Sequence, residues 1–312
     1  MVTSKTAVVI PAYKVADVIA DVVYSIPPMI DHIIVVDDKC PQGSGKVVEA
    51  ITDPRIIVIY HEHNQGVGGA VISGYRKAMD LGCDVVIKVD GDGQMDTKYM
   101  EFLIAPLLRD EADYTKGNRF ADFRALRTMP KIRLLGNNVL SFIEKVFSGY
   151  WNIMDPTNGY TAIHNRILAK LDLTKISHRY FFESHMLLNL NLINAVIKDV
   201  PIPAKYGNEN SSLSIGKVII EFPPRLFCGF IKRIFLKYFI YDFNMASVYI
   251  LFGLPIFLWG VTFGAIEWIN SYVNDVPATS GTIMLSALPI ILSFEMLLQA
   301  ISIDIGNVPK KS

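Results

Sequence analysis

The sequence predicts an α/β domain built on a largely parallel sheet and followed by two transmembrane helices. Over residues 1–210, short β-branched runs such as AVVIP and HIIVVD alternate with longer stretches of helical periodicity. That alternation is typical of a parallel sheet with helices on both faces. Two long apolar runs follow. With 51% hydrophobic and 19% charged residues, the composition excludes a disordered chain and disfavours an entirely soluble protein.

Four strand–helix pairs are predicted between residues 7 and 109. The strands are AVVIP, HIIVVD, RIIVIYH and DVVIKVD, and the helices that follow them are Val15–Ile26, Gly45–Ile51, Gly66–Leu81 and Lys98–Arg109. Because sites in such sheets form at the carboxyl ends of the strands, candidate functional residues are those that directly follow a strand.

The C-terminal part of the chain predicts the two membrane spans. No charged residue occurs in Phe243–Ile266, and a second uncharged run covers Val276–Phe294, with its apolar pattern continuing to Ile303. About 20 apolar residues span a bilayer; a buried hairpin of a soluble protein is the alternative. Lys and Arg residues lie before the first run and after the second, whereas the loop Glu267–Pro277 has none. Both termini are therefore expected in the cytoplasm.

A basic segment precedes the first apolar run. Residues 213–242 carry five Lys or Arg and two Asp or Glu residues among many Phe, Leu, Ile and Tyr residues, which indicates interfacial helices on anionic headgroups. The sequence thus predicts a cytoplasmic domain over 1–212, a basic amphipathic juxtamembrane segment over 213–242, and a two-helix transmembrane anchor with a short cytoplasmic tail over 243–312. A homo-oligomer through the transmembrane helices is left open.

The charge balance and the cysteines indicate which binding partners and which cellular compartment to expect. Thirty Lys and Arg residues balance thirty Asp and Glu residues, so no whole-chain field favours nucleic acid. The three cysteines are far apart and form no CxxC pair, which is typical of reduced thiols in a protein that faces the cytosol. The N-terminus has no long apolar core of a secretion signal, so we expect a cytoplasmic domain.

Carboxylates follow two of the predicted strands. HIIVV ends in Asp37-Asp38, and DVVIKV ends in the segment DGDGQMD, which contains Asp90, Asp92 and Asp96. The glycine between two of these residues lets the chain bend, so that both carboxylates can bind one Mg²⁺ or Mn²⁺ ion. Such an ion is bound by few protein carboxylates and keeps coordination positions for phosphate oxygens. A polar turn in which Asp96 caps a helix is the alternative. The position at a strand end favours the metal site.

A glycine-rich segment, NQGVGGA, opens the helix after the third strand. Its glycines, beginning with Gly66, permit close approach of a backbone, and a helix N-terminus attracts phosphate. Packing of the protein's own chain is the alternative. The segment is not a GxGxxG fingerprint, and no GxxxxGK[ST] loop occurs, so dinucleotide-binding and P-loop functions lose support.

Four segments together resemble a known family. IPAY, VVDD, NQGVGGA and VDGDGQMD occur in the order and spacing of family 2 glycosyltransferases with the GT-A fold, and the resemblance runs over roughly residues 5–205. A catalytic domain followed by two C-terminal spans is similar, within that family, to polyisoprenyl-phosphate glycosyltransferases of the dolichyl-phosphate mannose or glucose synthase type. The resemblance implies a nucleotide-diphosphate sugar as donor.

The resemblance also implies residue roles. The donor-binding residues would be Pro11, Ala12, Tyr13, Asp38, Gly66, Asp90 and Gln94, and the ligands of Mg²⁺ or Mn²⁺ would be Asp90, Asp92 and Gln94. The acceptor phosphate would contact Arg119 in KGNRF, which is similar to the family's GSR element, together with Arg133 and Asn137. Arginine suits this role because its fork binds phosphate oxygens bidentately. The catalytic residues would be Asp92, Arg119, Arg133, Asp155 and Glu183.

The chain departs from the family pattern at several of these positions. Asn stands at positions 118 and 137 in place of Ser, and Tyr160 stands where some relatives carry an Asp. Glu183 is the one acid in the region where many members have an acidic pair that serves as base. Asp155, in DPTNGY, belongs to a segment that resembles the family's D-x-x-S/T-G-F turn.

These observations predict an inverting, metal-dependent transfer of a hexose from a nucleotide-diphosphate sugar of the UDP-glucose or GDP-mannose type. The acceptor would be a polyisoprenyl phosphate at the cytoplasmic membrane face. A lipid monophosphate is mostly ionised at pH 7, so it needs orientation more than a general base. One alternative is a same-fold enzyme that adds sugar to a glycan or lipid-linked saccharide, with Glu183 as base. The other is a non-catalytic membrane scaffold that binds the nucleotide sugar.

Overall fold

The computed structural model describes residues 4–121, 131–203 and 215–311, with the backbone alone for 131–135, 137 and 215–222. The chain divides into two compact units. The sheet unit comprises Met1–Phe230 with Pro309–Ser312, and the helical unit comprises Ile231–Val308. The predicted domain division after residues 212 and 242 stays a prediction, since 204–214 lie outside the described residues.

The sheet unit contains a seven-stranded, mostly parallel sheet within the described part of the chain. Its strands are β1 (Thr6–Ala12), β2 (His32–Asp37), β3 (Ile56–Tyr60), β4 (Val85–Lys88), β5 (Tyr114–Asn118), β6 (Thr161–His164) and β7 (Ile197–Pro201). They lie in the order β3-β2-β1-β4-β6-β5-β7. β6 runs antiparallel to β4 and β5, and the other pairs are parallel. The predicted α/β class is confirmed.

The four predicted helices after the first four strands are present. The helices of the sheet unit are α1 (Ile19–Tyr24), α2 (Ser44–Glu49), α3 (Val67–Asp80), α4 (Met100–Leu108), α5 (Lys131–Ser148), α6 (Asn165–Leu168) and α7 (Phe182–Leu192), with a 3₁₀ turn at Thr97–Tyr99. The first helix starts four residues later than predicted, at Ile19 rather than Val15. No side chain caps its N-terminus, where Val18 is the N-cap residue.

Alternation along β1 shows why helices cover both faces of the sheet. Val8 and Ile10 belong to the apolar cluster that includes Val22 of α1 and Leu103 of α4. The residue between them, Val9, points to the opposite face, where it meets the backbone of α3 at Gly74. Both faces are therefore buried, which accounts for the continuous apolar run of the strand.

The helical unit holds two long apolar helices, α9 (Met245–Asn274) and α10 (Ser280–Gly306). Both are long and apolar enough to cross a membrane, and only 11% and 6% of their most apolar windows are buried. Glycines of α9 lie against α10, Gly253 at Met296 and Gly260 at Ile290, so the two helices run antiparallel. Small residues permit such close helix approach.

A basic helix leads into these two helices, as the sequence predicts. Helix α8 (Ile215–Phe235) continues into a π-helical turn, Leu236–Tyr241. Arg233 of α8 is buried in the helical unit and forms a bidentate pair with Asp304 of α10, at 2.8 and 3.1 Å. The hydroxyl of Tyr238 donates to the same carboxylate at 2.6 Å. This ion pair holds the end of α8 against the end of α10.

After α10 the chain returns to the sheet unit. The ammonium of Lys311 lies 2.9 Å from Asp110 and 3.1 Å from Asp113, and Arg166 contacts both of these carboxylates. The chain thus leaves the sheet unit at Phe230 and rejoins it at Pro309, so both ends of the helical pair connect to the same unit.

Candidate functional site

Asp37 and Asp38, at the end of β2, are both used to shape loops. The carboxylate of Asp37 accepts hydrogen bonds from the backbone of Cys40 and Gly45, each at 2.7 Å. One oxygen of Asp38 contacts Nδ1 of His61 at 2.7 Å. The same carboxylate accepts from the backbone N–H groups of residues 65 and 66, each at 2.8 Å. Asp38 is 2% exposed, and its carboxylate holds this loop; its assignment to the donor stays a prediction.

The glycine-rich start of α3 packs against another part of the same chain. A Cβ atom at Gly66 would lie 2.8 Å from the carbonyl oxygen of His178, and Gly66 has a φ of 84°. At Gly68 a Cβ atom would collide with the carbonyl of Ser177. The backbone N–H of Gly69 donates to His178 at 3.0 Å. These contacts favour packing over phosphate binding as the reason for the glycines; the assignment of Gly66 to the donor stays a prediction.

The DGDGQ segment, Asp90–Gln94, borders a cavity of about 150 Å³, called the DGDGQ cavity below. The described residues that line it are Asp90, Asp92, Gln94, Met95, Asp96, Tyr99, Arg119, Thr157, Asn158, Gly159, Tyr160, Ile202 and Pro203. The structure therefore brings the three predicted metal ligands together with Arg119. Asp96 also accepts a hydrogen bond from the backbone of Lys98 at 3.1 Å, so the predicted helix cap is present as well.

Arg119 and Asp155 form one unit at the edge of this cavity. Nε and Nη2 of Arg119 bind the two oxygens of Asp155 at 2.7 and 3.0 Å, and the backbone N–H of Arg119 adds a bond at 3.2 Å. Asp155 is fully buried, whereas the side chain of Arg119 is 38% exposed. The carboxylate thus orients the guanidinium, whose exposed part borders the cavity.

Behind the cavity, a buried lysine joins the other predicted carboxylates. The ammonium of Lys88, the last residue of β4, lies 2.8 Å from Asp90 and 3.2 Å from Glu183. Burial alone would lower the pKa of Lys88, but the carboxylates of Asp90 and Glu183 outweigh it and raise that pKa above its usual range. Glu183 is therefore held by an ion pair and does not line the DGDGQ cavity.

Further buried ionisable groups lie around Lys88 and Glu183. Lys116 of β5 donates to the carbonyl of Asn158, and burial lowers the pKa of Lys116 to about 8. Glu144 of α5 accepts from Ser184 of α7 at 2.6 Å, and burial raises the pKa of Glu144 to about 7. Burial also raises the pKa of Asp199 to about 6. These groups form a polar layer beneath the site.

The remaining predicted site residues either do not line the DGDGQ cavity or have side chains that lie outside the described residues. Ala12 is buried, and Tyr13 is 44% exposed, with the Lys14 ammonium 5.5 Å from the centroid of its ring. Pro11 and Ala12 are the last two residues of β1 and Tyr13 follows them, and none of the three lines the DGDGQ cavity. Arg133 and Asn137 are on α5, but their side chains lie outside the described residues.

The residues of the cavity fit a divalent cation. Two carboxylates, Asp90 and Asp92, face one space with the amide of Gln94 beside them. Mg²⁺ is usually bound by one or two protein carboxylates together with phosphate oxygens and waters. No group of three or more His, Cys, Asp or Glu side chains arranged for a metal occurs in residues 4–121, 131–203 and 215–311. The donor set therefore suits an ion that shares its coordination with a diphosphate.

Sequence reasoning missed Lys88 and its contact with Gly159. Lys88 interrupts the apolar run DVVIKVD, and a lysine inside a buried strand requires a charged or polar partner. That interruption was the available signal. The contact of Gly159 with Lys88 spans 71 residues, so no local pattern could indicate it.

Comparison with known proteins places the chain in a family. Residues 7–172 match the model of glycosyl transferase family 2. The chain belongs to this family. It is therefore a glycosyltransferase, and its sheet and helices confirm the predicted GT-A fold.

Two curated relatives match most of their own length. The UDP-N-acetylglucosamine–dolichyl-phosphate N-acetylglucosaminyltransferase of Methanococcus voltae is 30% identical over 213 residues, which cover 64% of this chain and 84% of the relative. The polyprenol monophosphomannose synthase of Mycolicibacterium smegmatis is 27% identical over 220 residues, which cover 68% and 81%.

A solved structure supports the fold. The glucosyl-3-phosphoglycerate synthase from Mycobacterium tuberculosis, in complex with uridine diphosphate, is 16% identical, covers 74% of this chain and 80% of its own, and has a TM-score of 0.54. The same enzyme has also been solved with Mn²⁺. At this identity the likeness concerns the fold alone.

Proposed function

We propose that this glycosyltransferase moves a hexose, with inversion, from a nucleotide-diphosphate sugar to a polyisoprenyl phosphate at the cytoplasmic face of a membrane. The donor is of the UDP-glucose or GDP-mannose type, and the reaction depends on Mg²⁺ or Mn²⁺. Asp90, Asp92 and Gln94 hold the cation and the donor diphosphate, and Arg119 contacts the acceptor phosphate.

This proposal rests on the burial and the contacts of the two candidate bases, Asp155 and Glu183. Asp155 is fully buried with both oxygens on Arg119, and Glu183 has one oxygen on the buried Lys88. Neither lines the DGDGQ cavity. An acceptor hydroxyl requires a base within hydrogen-bond reach, whereas an anionic phosphate already carries the nucleophilic oxygen. The arrangement therefore favours a phosphate acceptor over a saccharide hydroxyl.

The relatives support the same acceptor class. Two of them are named for transfer to dolichyl phosphate and for synthesis of polyprenol monophosphomannose. A third, from Micrococcus luteus, is named an undecaprenyl-phosphate mannosyltransferase and is 29% identical over 173 residues. Their acceptors are all polyisoprenyl chains, so a lipid phosphate is the acceptor class that we assign to this chain.

The membrane placement rests on charge and connectivity. Basic residues flank the apolar helices at the ends that join the sheet unit, and the loop between the helices has none. Both ends of the helical pair connect to the sheet unit, which agrees with an even number of crossings. We assign the sheet unit and both termini to the cytoplasm.

In the proposed reaction the protein supplies orientation and charge. Asp90 and Asp92 would hold a divalent cation, whose positive charge would stabilise the departing diphosphate. Arg119, fixed by Asp155, offers a planar fork to phosphate oxygens. The site borders the carboxyl end of β4, so the donor lies where parallel sheets of this type bind ligands.

The test compares two acceptors that differ only in the phosphate. Full-length protein in lipid vesicles receives labelled UDP-glucose, UDP-N-acetylglucosamine or GDP-mannose with either a polyisoprenyl phosphate or the polyisoprenol of the same length. We expect a labelled lipid product from one donor with the phosphate alone, and its loss when EDTA removes the cation. Transfer to the alcohol, or to an added saccharide in place of the phosphate, would overturn the proposed acceptor.

A further inference from the structure

Lys88 uses every donor of its side chain on the surroundings of the proposed cation site. Its ammonium donates to Asp90 Oδ1 at 2.8 Å, to Glu183 Oε1 at 3.2 Å and to the carbonyl oxygen of Gly159 at 3.2 Å. An ammonium has three N–H donors, and the side chain is 1% exposed. One lysine thus joins three separate segments: the loop after β4, the turn before β6, and α7.

Gly159 makes this arrangement possible. A Cβ atom at position 159 would lie 2.7 Å from Oδ2 of Asp90 and closer still to the ammonium of Lys88. Both distances are shorter than a Cβ atom tolerates, so any other residue would push the lysine and the aspartate apart. The glycine carbonyl approaches the ammonium because no side chain is in the way.

The contact divides the two oxygens of Asp90 between two tasks. Oδ1 accepts from Lys88, which leaves Oδ2 for a ligand in the DGDGQ cavity. The side chain of Asp90 is 31% exposed and borders that cavity. The ammonium of Lys88 also places a positive charge 2.8 Å from Asp90, which weakens the attraction of this carboxylate for a cation.

We propose that Lys88 is a positioning residue: it fixes Asp90 with Oδ2 toward the cavity, and its charge limits how tightly the divalent cation binds. The inference rests on the proposed function, since it takes the cation to bind at Asp90 and Asp92. A fixed carboxylate favours turnover, and a moderate affinity lets the cation leave with the nucleoside diphosphate.

A purely structural role of Lys88 makes a different prediction. If the ammonium served only to neutralise Glu183 in the interior, its removal would reduce stability without changing the affinity for a cation. The proposed role requires cation affinity and turnover to move in opposite directions, which general damage to the fold does not produce.

The first experiment compares Lys88→Met with the wild type as full-length protein. Mn²⁺ binding is measured by titration calorimetry without substrates, and turnover is measured at saturating Mn²⁺. Because a positive charge near the cation is removed, we expect the Kd for Mn²⁺ to fall about fivefold. We expect kcat to fall at least about tenfold, because Asp90 is no longer held in its productive orientation.

Lys116→Met is the matched control. Lys116 is a buried lysine of the neighbouring region, on β5, and its ammonium donates to the carbonyl of Asn158 rather than to a carboxylate of the DGDGQ cavity. The substitution is the same, so any general effect of losing a buried lysine is shared. We expect its Kd for Mn²⁺ to stay within about twofold of the wild type.

A double variant, Lys88→Met with Glu183→Gln, guards against loss of the fold, because it removes the ammonium together with one of the carboxylates that it neutralises. We expect this double variant to bind Mn²⁺ more tightly, and to turn over more slowly, than Glu183→Gln alone, because the two proteins share the loss of the glutamate charge and differ only in Lys88. Unchanged or weaker Mn²⁺ binding in a folded variant, relative to the wild type for Lys88→Met and to Glu183→Gln for the double variant, would overturn the role of Lys88 alone. A wild type that binds no Mn²⁺ would instead overturn the cation site of the proposed function, and the inference with it.

Discussion

In the sheet unit, buried charged side chains gather behind a cavity: Lys88 contacts Asp90, and Asp155 holds Arg119. In the described part of the helical unit, the buried charges are Arg233 and Asp304, which bind each other. The first set touches groups that border a space for ligands, whereas the second joins two helices. A buried charge can thus serve chemistry in one unit and assembly in the other, and substitutions should separate the two roles.

The largest expected effect on stability belongs to the helical unit. Asp304→Ala removes the buried carboxylate that forms the bidentate pair with Arg233, and breaking a buried pair costs about 3–5 kcal/mol. We expect a much lower thermal midpoint for the full-length protein in detergent. Replacing both partners, Arg233→Met with Asp304→Leu, should recover most of the loss, because an apolar pair replaces an ionic one. If the single variant were as stable as the wild type, the assembly role of the pair would be wrong.

In the sheet unit we expect a substitution at the proposed cation site to reduce activity without reducing stability. Asp92→Asn removes one charged ligand of the proposed cation site, which should cost about 2–5 kcal/mol of transition-state stabilisation, while the thermal midpoint stays close to that of the wild type. The measurement is turnover across a Mn²⁺ and Mg²⁺ series. Asp96→Asn is the control from the same loop, where the amide can still cap the 3₁₀ turn, and its loss should be far smaller. Near-normal rates of Asp92→Asn at saturating metal would contradict the assignment.

Glu144 is a buried carboxyl group of the sheet unit that we expect to affect stability rather than activity. Burial raises its pKa from 4.5 to about 7, so the protonated form favours folding. The contribution is complete below about pH 4.5 and is lost as the pH rises through 7, up to about 3 kcal/mol. The groups that act on it are Ser184, Lys116 and Glu183.

The corresponding test is Glu144→Gln, which cannot ionise. The thermal midpoint of the wild type should decrease more between pH 5 and pH 8 than the midpoint of the variant. Equal slopes for the two proteins would show that Glu144 titrates as an ordinary glutamate.

Arg119 separates donor binding from acceptor use. Arg119→Lys keeps a positive charge but loses the fork that Asp155 orients, so we expect a loss of about 1.5–3 kcal/mol in acceptor kinetics. Donor affinity, measured by calorimetry, should stay unchanged. A similar loss in both measurements would move Arg119 to the donor side of the site.

The smallest expected effect concerns the support of Asp38. The hydroxyl of Ser73 lies 2.8 Å from Nε2 of His61, whose other nitrogen contacts Asp38. Ser73→Ala should lower the free energy of unfolding by about 1 kcal/mol and leave donor affinity nearly unchanged. A large loss of donor affinity would show that this hydrogen-bond chain governs the donor pocket directly.

The first four strands could be predicted because each lies in a run of β-branched and other apolar residues that is followed by a helical pattern. β1 to β4 follow the β-branched runs, and each is followed by a helix within a few residues of the expected bounds. β6 could not be predicted in this way. It has four residues, Thr161–His164, and it enters the sheet between β4 and β5 by pairing that is distant in sequence.

The candidate site shows the same division. The DGDGQ segment follows a strand, so its place at a cavity could be predicted from sequence alone. The pairing of Arg119 with Asp155 spans 36 residues and that of Lys88 with Glu183 spans 95, and no periodic pattern encodes such contacts. Lys88 and Glu183 meet only when β4 and α7 pack together.

The close approach at Gly159 has a consequence for the history of the family. A side chain there would displace both Lys88 and the carboxylate that the lysine holds, so Gly159 cannot be replaced while Lys88 and Asp90 keep their positions. We therefore expect the glycine to be kept wherever the lysine and the aspartate are both kept, although 71 residues separate Lys88 from Gly159 in the chain.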